Sequence, residues 1–319
     1  MESVDHSLKN LSKARILVVG DIMLDRYWFG GVDRVSPEAP VPVVAVDEIE
    51  SRIGGAANVA GNISSLGANS TLLGIVGDDE AGRQVTAIAA SASIKNEVEV
   101  DPSIQTTVKL RVVSRNQQLL RADFEDRPGD PALSGMMQKY KKLLLEHDVV
   151  VLSDYGKGVL VGIEEMIRLA NDAGKLTLVD PKGKDFSRYR EATLITPNLK
   201  EFSEVVGACI DNADMETKAA KIIDELNIGK LLITLSEKGM ALFAKDSLPI
   251  YQGAKTQEVY DVSGAGDTVI AVMAMALAAG LDDHDALDLS NSAAGVVVSK
   301  IGTATASLKE LRSALEVGN

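Results

Sequence analysis

The chain has 319 residues, 45% hydrophobic and 25% charged, with 33 basic against 46 acidic side chains and a net charge of −13. This composition fits one large α/β domain in water, and the acidic balance argues against non-specific nucleic-acid binding, which needs a basic face. The lone Cys209 excludes a disulfide framework and a thiolate metal site, while Val269–Ala279, the longest apolar stretch, is too short to cross a bilayer.

No basic leader precedes an apolar run, so a cytoplasmic protein without membrane attachment is expected. Arg15–Gly20 (RILVVG) is a short β-branched run that reads as a buried strand, as do Val43–Val46 and Ser70–Val76. Gly55–Leu66 has alanine-rich helical spacing and stops at Gly67, a natural C-cap residue. Asp148–Ser153, Lys175–Asp180, Ala192–Thr196 and Lys230–Thr234 repeat the strand pattern. Gly162–Ala173, Asn198–Val206 and Met215–Leu226 separate them as helices, and Val269–Ala279 reads as a buried core helix. This alternation predicts a mostly parallel sheet covered by helices on both faces.

Thr106–Ser114 and Gln117–Asp123 break the rhythm as strand-like segments around Arg115-Asn116, which predicts a hairpin. With Val41–Val46 and Glu97–Val100 they are expected to form a small separate sheet with lid strands near 41–46 and 97–123, inside a single domain over 1–319. Such a sheet has edges and an apolar face that need cover, from an active site beneath or from a homodimer partner. The histidines His6, His147 and His284 have no ligand or triad spacing and read as surface or helix-end residues.

The chemistry concentrates in Asp261-Val262-Ser263-Gly264-Ala265-Gly266-Asp267-Thr268, which precedes the late apolar run. Two glycines at a helix start let a ligand approach the backbone, and the free first-turn N–H groups make an anion site without basic side chains. Asp267 in that first turn could take a proton from a hydroxyl attacking phosphorus, or could simply cap the helix. There is no G-K-[ST], so no Walker A loop, and the third glycine of a dinucleotide fingerprint is missing.

DVSGAGDT resembles the C-terminal signature of the ribokinase-like carbohydrate kinases, also called the phosphofructokinase B family. Gly54-Gly55-Ala56-Ala57-Asn58 resembles the N-terminal signature of the same family, and the likeness spans nearly the whole chain. It implies a three-layer α/β/α fold with a small β-sheet lid, and an ATP-dependent sugar kinase using Mg²⁺ and K⁺. Asp267 would then be the base, with the Gly264, Ala265 and Gly266 amides as the anion hole. Asp261 and Ser263 resemble positions lining a monovalent-cation site. Asp25, Gly54, Gly55 and Asn58 resemble sugar-binding positions.

Asn198-Leu199-Lys200-Glu201 resembles the family's N-x-x-E motif, which organises Mg²⁺ through water; the same spacing is also a helix capping arrangement. Lys182 closes a strand and either meets nucleotide phosphates or is a turn lysine. Ser236, Lys238 and Gly239 resemble the nucleotide-binding turn, and Asn291 an adenine-pocket position.

The strings Gly20–Tyr27 (GDIMLDRY), Arg34–Val43 (RVSPEAPVPV) and Ser153–Val159 (SDYGKGV) resemble one branch, the bacterial D-glycero-β-D-manno-heptose 7-phosphate kinases. That resemblance implies phosphorylation of O1 of the heptose phosphate, giving the 1,7-bisphosphate of lipopolysaccharide-core synthesis. The substrate's own phosphate calls for a basic clamp, for which Lys109 and Arg34 are the first candidates and Lys157 a further one. Kinases for another phosphosugar, a hexose or a nucleoside remain open, as does a non-catalytic sugar-phosphate sensor. The branch is often fused to a nucleotidyltransferase with an H-x-G-H motif, absent from these 319 residues; the chain reads either as the stand-alone form, which is preferred, or as a kinase cut before that second domain.

Overall fold

The computed structural model describes residues 10–115, 117–255 and 259–317; His6 and the Asn116 turn position lie outside them. Among the described residues the main sheet has nine strands. Their order is Ile250–Gln252, Met240–Ala244, Lys230–Thr234, Leu194–Ile195, Leu176–Asp180, Val149–Ser153, Arg15–Gly20, Asn69–Leu73 and Lys95–Asn96. Met240–Ala244 pairs antiparallel with both of its neighbours, and every other pairing is parallel.

Parallel strands covered on both faces need apolar side chains at every position, and alternate residues serve opposite layers. Ile16, Val18, Val149 and Val151 join one buried cluster with the helices Ala56–Ser65, Ala265–Ala278 and Asp283–Val298. Leu17, Val19, Val150 and Leu152 join the other, with the helices Asp130–Leu143, Ile163–Asp172 and Asn212–Leu226. The result is the expected α/β/α sandwich. Every residue of Val269–Met275 is buried, so that apolar run is a core helix, and no described helix is long and apolar enough to cross a membrane.

The small sheet differs from expectation in two ways. It has four strands, in the order Pro42–Gly55, Ile22–Val35, Val108–Ser114 and Gln117–Phe124. Ile22–Val35, a 14-residue strand, was not anticipated, because its glycines and charges hide the pattern. Glu97–Val100, expected in this sheet, does not join it. The Glu97 and Glu99 amides donate to the Leu72 and Gly74 carbonyls, and Glu99–Asp101 pairs with Ile75–Gly77. Val98 also packs on the main core, so this segment continues from the large sheet's edge strand Lys95–Asn96 into a separate two-stranded sheet. Ser70–Val76 is likewise interrupted at Gly74, where a Cβ would crowd the Gly20 carbonyl and Ile22.

His147 is at a helix end but is buried, its ring bonded to the Leu143 carbonyl and the Thr71 hydroxyl.

Candidate active site

The carboxyl ends of the parallel strands share one rim, where open α/β sheets bind ligands. Asp21 and Asp25 follow Arg15–Gly20, Asp154 and Tyr155 follow Val149–Ser153, and Lys182 follows Leu176–Asp180. Asn198 bridges to Thr234 at the ends of the next two strands.

Asp267 sits in the first turn of Ala265–Ala278 and is 3% exposed. Asn58 Nδ2 donates to its Oδ2 at 2.7 Å and the Tyr155 hydroxyl to its Oδ1 at 2.9 Å. Both donors favour the charged carboxylate, but burial outweighs them and pushes its pKa up to about 6, with Asp25 adding to the rise and Lys109 opposing it. A carboxylate so poised is ionised near neutrality and still basic enough to accept a proton.

Gly264 caps this helix in the left-handed region (φ 81°), and a Cβ there would meet Asn58 Nδ2 at 2.8 Å. Only glycine allows both the turn and that approach. A Cβ on Gly266 would meet nothing within 4 Å, so the helix start is open on that side. The paired glycines of the other signature have their own reasons. Gly55 has φ 58°, and a Cβ on Gly54 would overlap the Asp25 carboxylate.

Asp25 is 2% exposed and pairs with Arg111 Nη1 at 2.5 Å. Lys109, two residues earlier on the same strand face, lies 5.2 Å from the Tyr155 ring centroid, and burial pulls its pKa down. Asp25, Asn58, Lys109, Tyr155 and Asp267 therefore surround one polar space. Tyr155 was not singled out from sequence, although SDYGKGV was. Its place depends on Asp21, whose carboxylate accepts the Tyr155, Lys157 and Val159 amides at 2.8, 3.0 and 3.1 Å.

Other candidates stand elsewhere. Arg34 is exposed at the outer end of Ile22–Val35, opposite Val43, far along the strand from Asp25, so it cannot join Lys109 within one chain. Lys157 is paired with Glu125 at 2.5 Å. Asn198 and Glu201 form a complete capping box, and Glu201 Oε1 also takes Lys182 Nζ at 2.8 Å. Among the described residues no group of three or more acidic, histidine or cysteine side chains could hold a metal directly. Ser236–Lys238 is a short turn ending at Gly239 (φ 89°), and Asn291 is buried with Nδ2 on the Gly253 carbonyl.

Asp261 joins two loops. Its Oδ1 accepts the Ser263 amide and its Oδ2 the Gly302 amide, both at 2.9 Å. Despite desolvation, these hydrogen bonds hold its pKa below the usual carboxylate range. Beside Gly264, the Thr303 hydroxyl is buried without a hydrogen-bond partner among the described residues.

A sandwich of this topology, with glycine-built amides at one helix start and a buried carboxylate among them, defines a ribokinase-like phosphotransferase scaffold. The pfkB family carbohydrate kinase profile matches residues 13–310, and the chain belongs to that family. Among curated relatives, the bifunctional protein HldE of Methylococcus capsulatus is 52% identical over 308 residues, covering 97% of this chain and 65% of the relative. The bifunctional protein HldE of Proteus mirabilis is 49% identical, with 97% and 65% covered. The chain thus spans about two thirds, 65%, of the length of these relatives. The fold matches Escherichia coli phosphofructokinase-2 in complex with potassium (TM-score 0.79, 18% identity, 96% and 100% covered). It also matches Arabidopsis thaliana ribokinase complexed with ribose and ATP (TM-score 0.74, 20% identity, 96% and 98% covered).

Proposed function

We propose that the chain transfers the γ-phosphoryl group of ATP to O1 of D-glycero-β-D-manno-heptose 7-phosphate, giving the 1,7-bisphosphate. The observation that carries this reading is Asp267: a buried carboxylate in the first turn of a helix that starts on the left-handed Gly264, with open space beside Gly266. The sugar's identity is supported by the GDIMLDRY, SPEAPVP and SDYGKGV strings and by relatives near 50% identity whose name marks them as bifunctional.

Asp25 and Asn58 would hold sugar hydroxyls, with O1 directed at Asp267. The anomeric hydroxyl gives its proton to Asp267 as its oxygen attacks the γ-phosphorus in line with the departing ADP oxygen. The Gly264 and Gly266 amides would then stabilise the charge growing on the transferred group; the Ala265 amide, expected to join them, is engaged by the Val262 carbonyl. Lys109, half-buried and without an ion pair among the described residues, would be the lysine that meets the substrate's own phosphate.

ATP would lie along the rim past Lys182, Ser236, Lys238, Gly239 and Asn291. Mg²⁺, which supplies charge neutralisation at the phosphates, would be reached by Asn198 and Glu201 only through water, since both side chains are engaged in the capping box. A K⁺ ion would fit beside Asp261 and Ser263, where an ionised carboxylate and the unpartnered Thr303 hydroxyl lie on adjoining loops. The lid sheet exposes Val35, Val46, Ile49, Leu119, Leu120 and Phe124, and a homodimer would cover them.

The deciding experiment is a coupled ADP-release assay with heptose 7-phosphate, fructose 6-phosphate and ribose. Preference for the heptose phosphate is expected. Faster turnover of either other sugar would overturn the substrate assignment, and sugar binding without ADP release would indicate a sensor.

A further inference from the structure

Arg52 lies on the inner part of the lid strand Pro42–Gly55, outside the groups around Asp267. Its Nε and Nη2 donate to the Glu50 carboxylate at 2.7 and 3.1 Å, and its guanidinium is 5.4 Å from the Tyr27 ring centroid. Its remaining nitrogen, Nη1, donates to the Ile301 carbonyl. The next residue, Gly302, has φ 72°, and a Cβ there would overlap Arg52 Nη1. The left-handed backbone favours glycine at this spot, and a side chain there would push the guanidinium aside.

From Gly302 the contacts run inward. Its amide donates to Asp261, whose other oxygen holds the Ser263 amide, and Ser263 leads directly into Gly264. On the sugar side Arg111 lies 5.2 Å from the same Tyr27 ring and pairs with Asp25. A planar fork can serve a carboxylate with two donors and a carbonyl with a third at once; an ammonium on a flexible stem cannot hold that geometry.

We propose that Arg52 is a positioning residue for phosphoryl transfer: through the Ile301–Gly302 backbone it fixes the anion-hole segment Ser263–Gly264, and through Tyr27 and Arg111 it ties that segment to the sugar-binding Asp25. The role in turnover rests on the kinase reading above. Adjacent contacts alone do not establish coupling, so the test measures it.

Arg52→Met, Arg52→Lys, Gly302→Ala and the Arg52→Met/Gly302→Ala double variant are compared by amide hydrogen exchange and steady-state kinetics. The probes are the Ser263, Ala265 and Thr268 amides, each hydrogen-bonded in the folded chain. Arg52→Met is expected to speed their exchange and lower kcat about tenfold, with sugar KM moving less than about twofold. Arg52→Lys should fall between the two. Gly302→Ala should cost less in the Arg52→Met background than in the wild type, because the overlap with the guanidinium is gone. Unchanged exchange at 263–268, an equal cost in both backgrounds, or a loss confined to thermal stability would overturn the proposal. The exchange measurement needs no substrate. A wild-type chain inert toward every sugar therefore sinks the kinase reading, while exchange still decides the link between Arg52 and the anion hole.

Discussion

The Tyr155 hydroxyl holds one oxygen of Asp267 while Asn58 holds the other, so the carboxylate is fixed at both ends. Removing the hydroxyl takes away a donor that favours the charged form, so the proton affinity of Asp267 must rise. In Tyr155→Phe the acid limb of the kcat profile should move up from about pH 6 by roughly half to one unit. Turnover at pH 7 should fall by less than about twofold through this titration, and more steeply toward pH 6. A pH–rate series on both enzymes checks this, and an unmoved limb would remove Tyr155 from the proton path.

Asp267→Asn should keep ATP affinity by calorimetry and lose turnover by about 10²–10⁴-fold. Stability should move the other way. Burial raises the pKa of this carboxyl from 3.8 to about 6, so the folded chain binds the proton more tightly than the unfolded one. Its contribution is full below the ordinary value and is lost as pH rises through about 6. At pH 7.5 the amide variant should therefore melt higher than the wild type, by at most about 3 kcal/mol, and the gap should close toward pH 4. Thermal melts across that range decide it.

The glycines of the helix start should separate cleanly. Gly264→Ala forces a left-handed residue and a clash with Asn58, and should cost about 1–3 kcal/mol together with most of the turnover. Gly266→Ala meets nothing within 4 Å and lies in a helix, so it should gain up to about 1 kcal/mol. Its methyl would nevertheless stand where the nucleotide approaches, so ATP KM should rise. Melting curves and ATP titrations distinguish the two.

Arg111→Met would leave Asp25 buried and unpaired, costing roughly 3–5 kcal/mol. Adding Asp25→Asn should recover much of that stability but not sugar binding. Recovery of both would show that the pair is structural only.

Much of the sandwich was legible because its strands are short, apolar and regularly spaced. Arg15–Gly20 and Lys230–Thr234 stand where their residues predict. The helix start at Gly264 was legible for a local reason: left-handed caps and first-turn acids sit within a few residues of each other. Tyr155 and Arg52 were not, since what matters about them is a partner more than a hundred residues away, Asp267 or Ile301. Glu97–Val100 misled because a short strand's pattern does not say which sheet edge completes its hydrogen bonds. Asn198 and Glu201 kept two readings, and the backbone shows the capping one while leaving any metal contact to water.

The long hairpin of the lid is not uniform along its length. From Ile22 to Phe29 it pairs without interruption, and the register slips between Phe29 and Gly30 and again between Val32 and Arg34. Bulges concentrate twist and bending at their own positions. The stretch bearing Asp25 and Tyr27 is therefore evenly paired, and the bending falls on the arm beyond Phe29. Sequence drift in that arm would retune what the lid meets outside while leaving the pairing around Asp25 untouched.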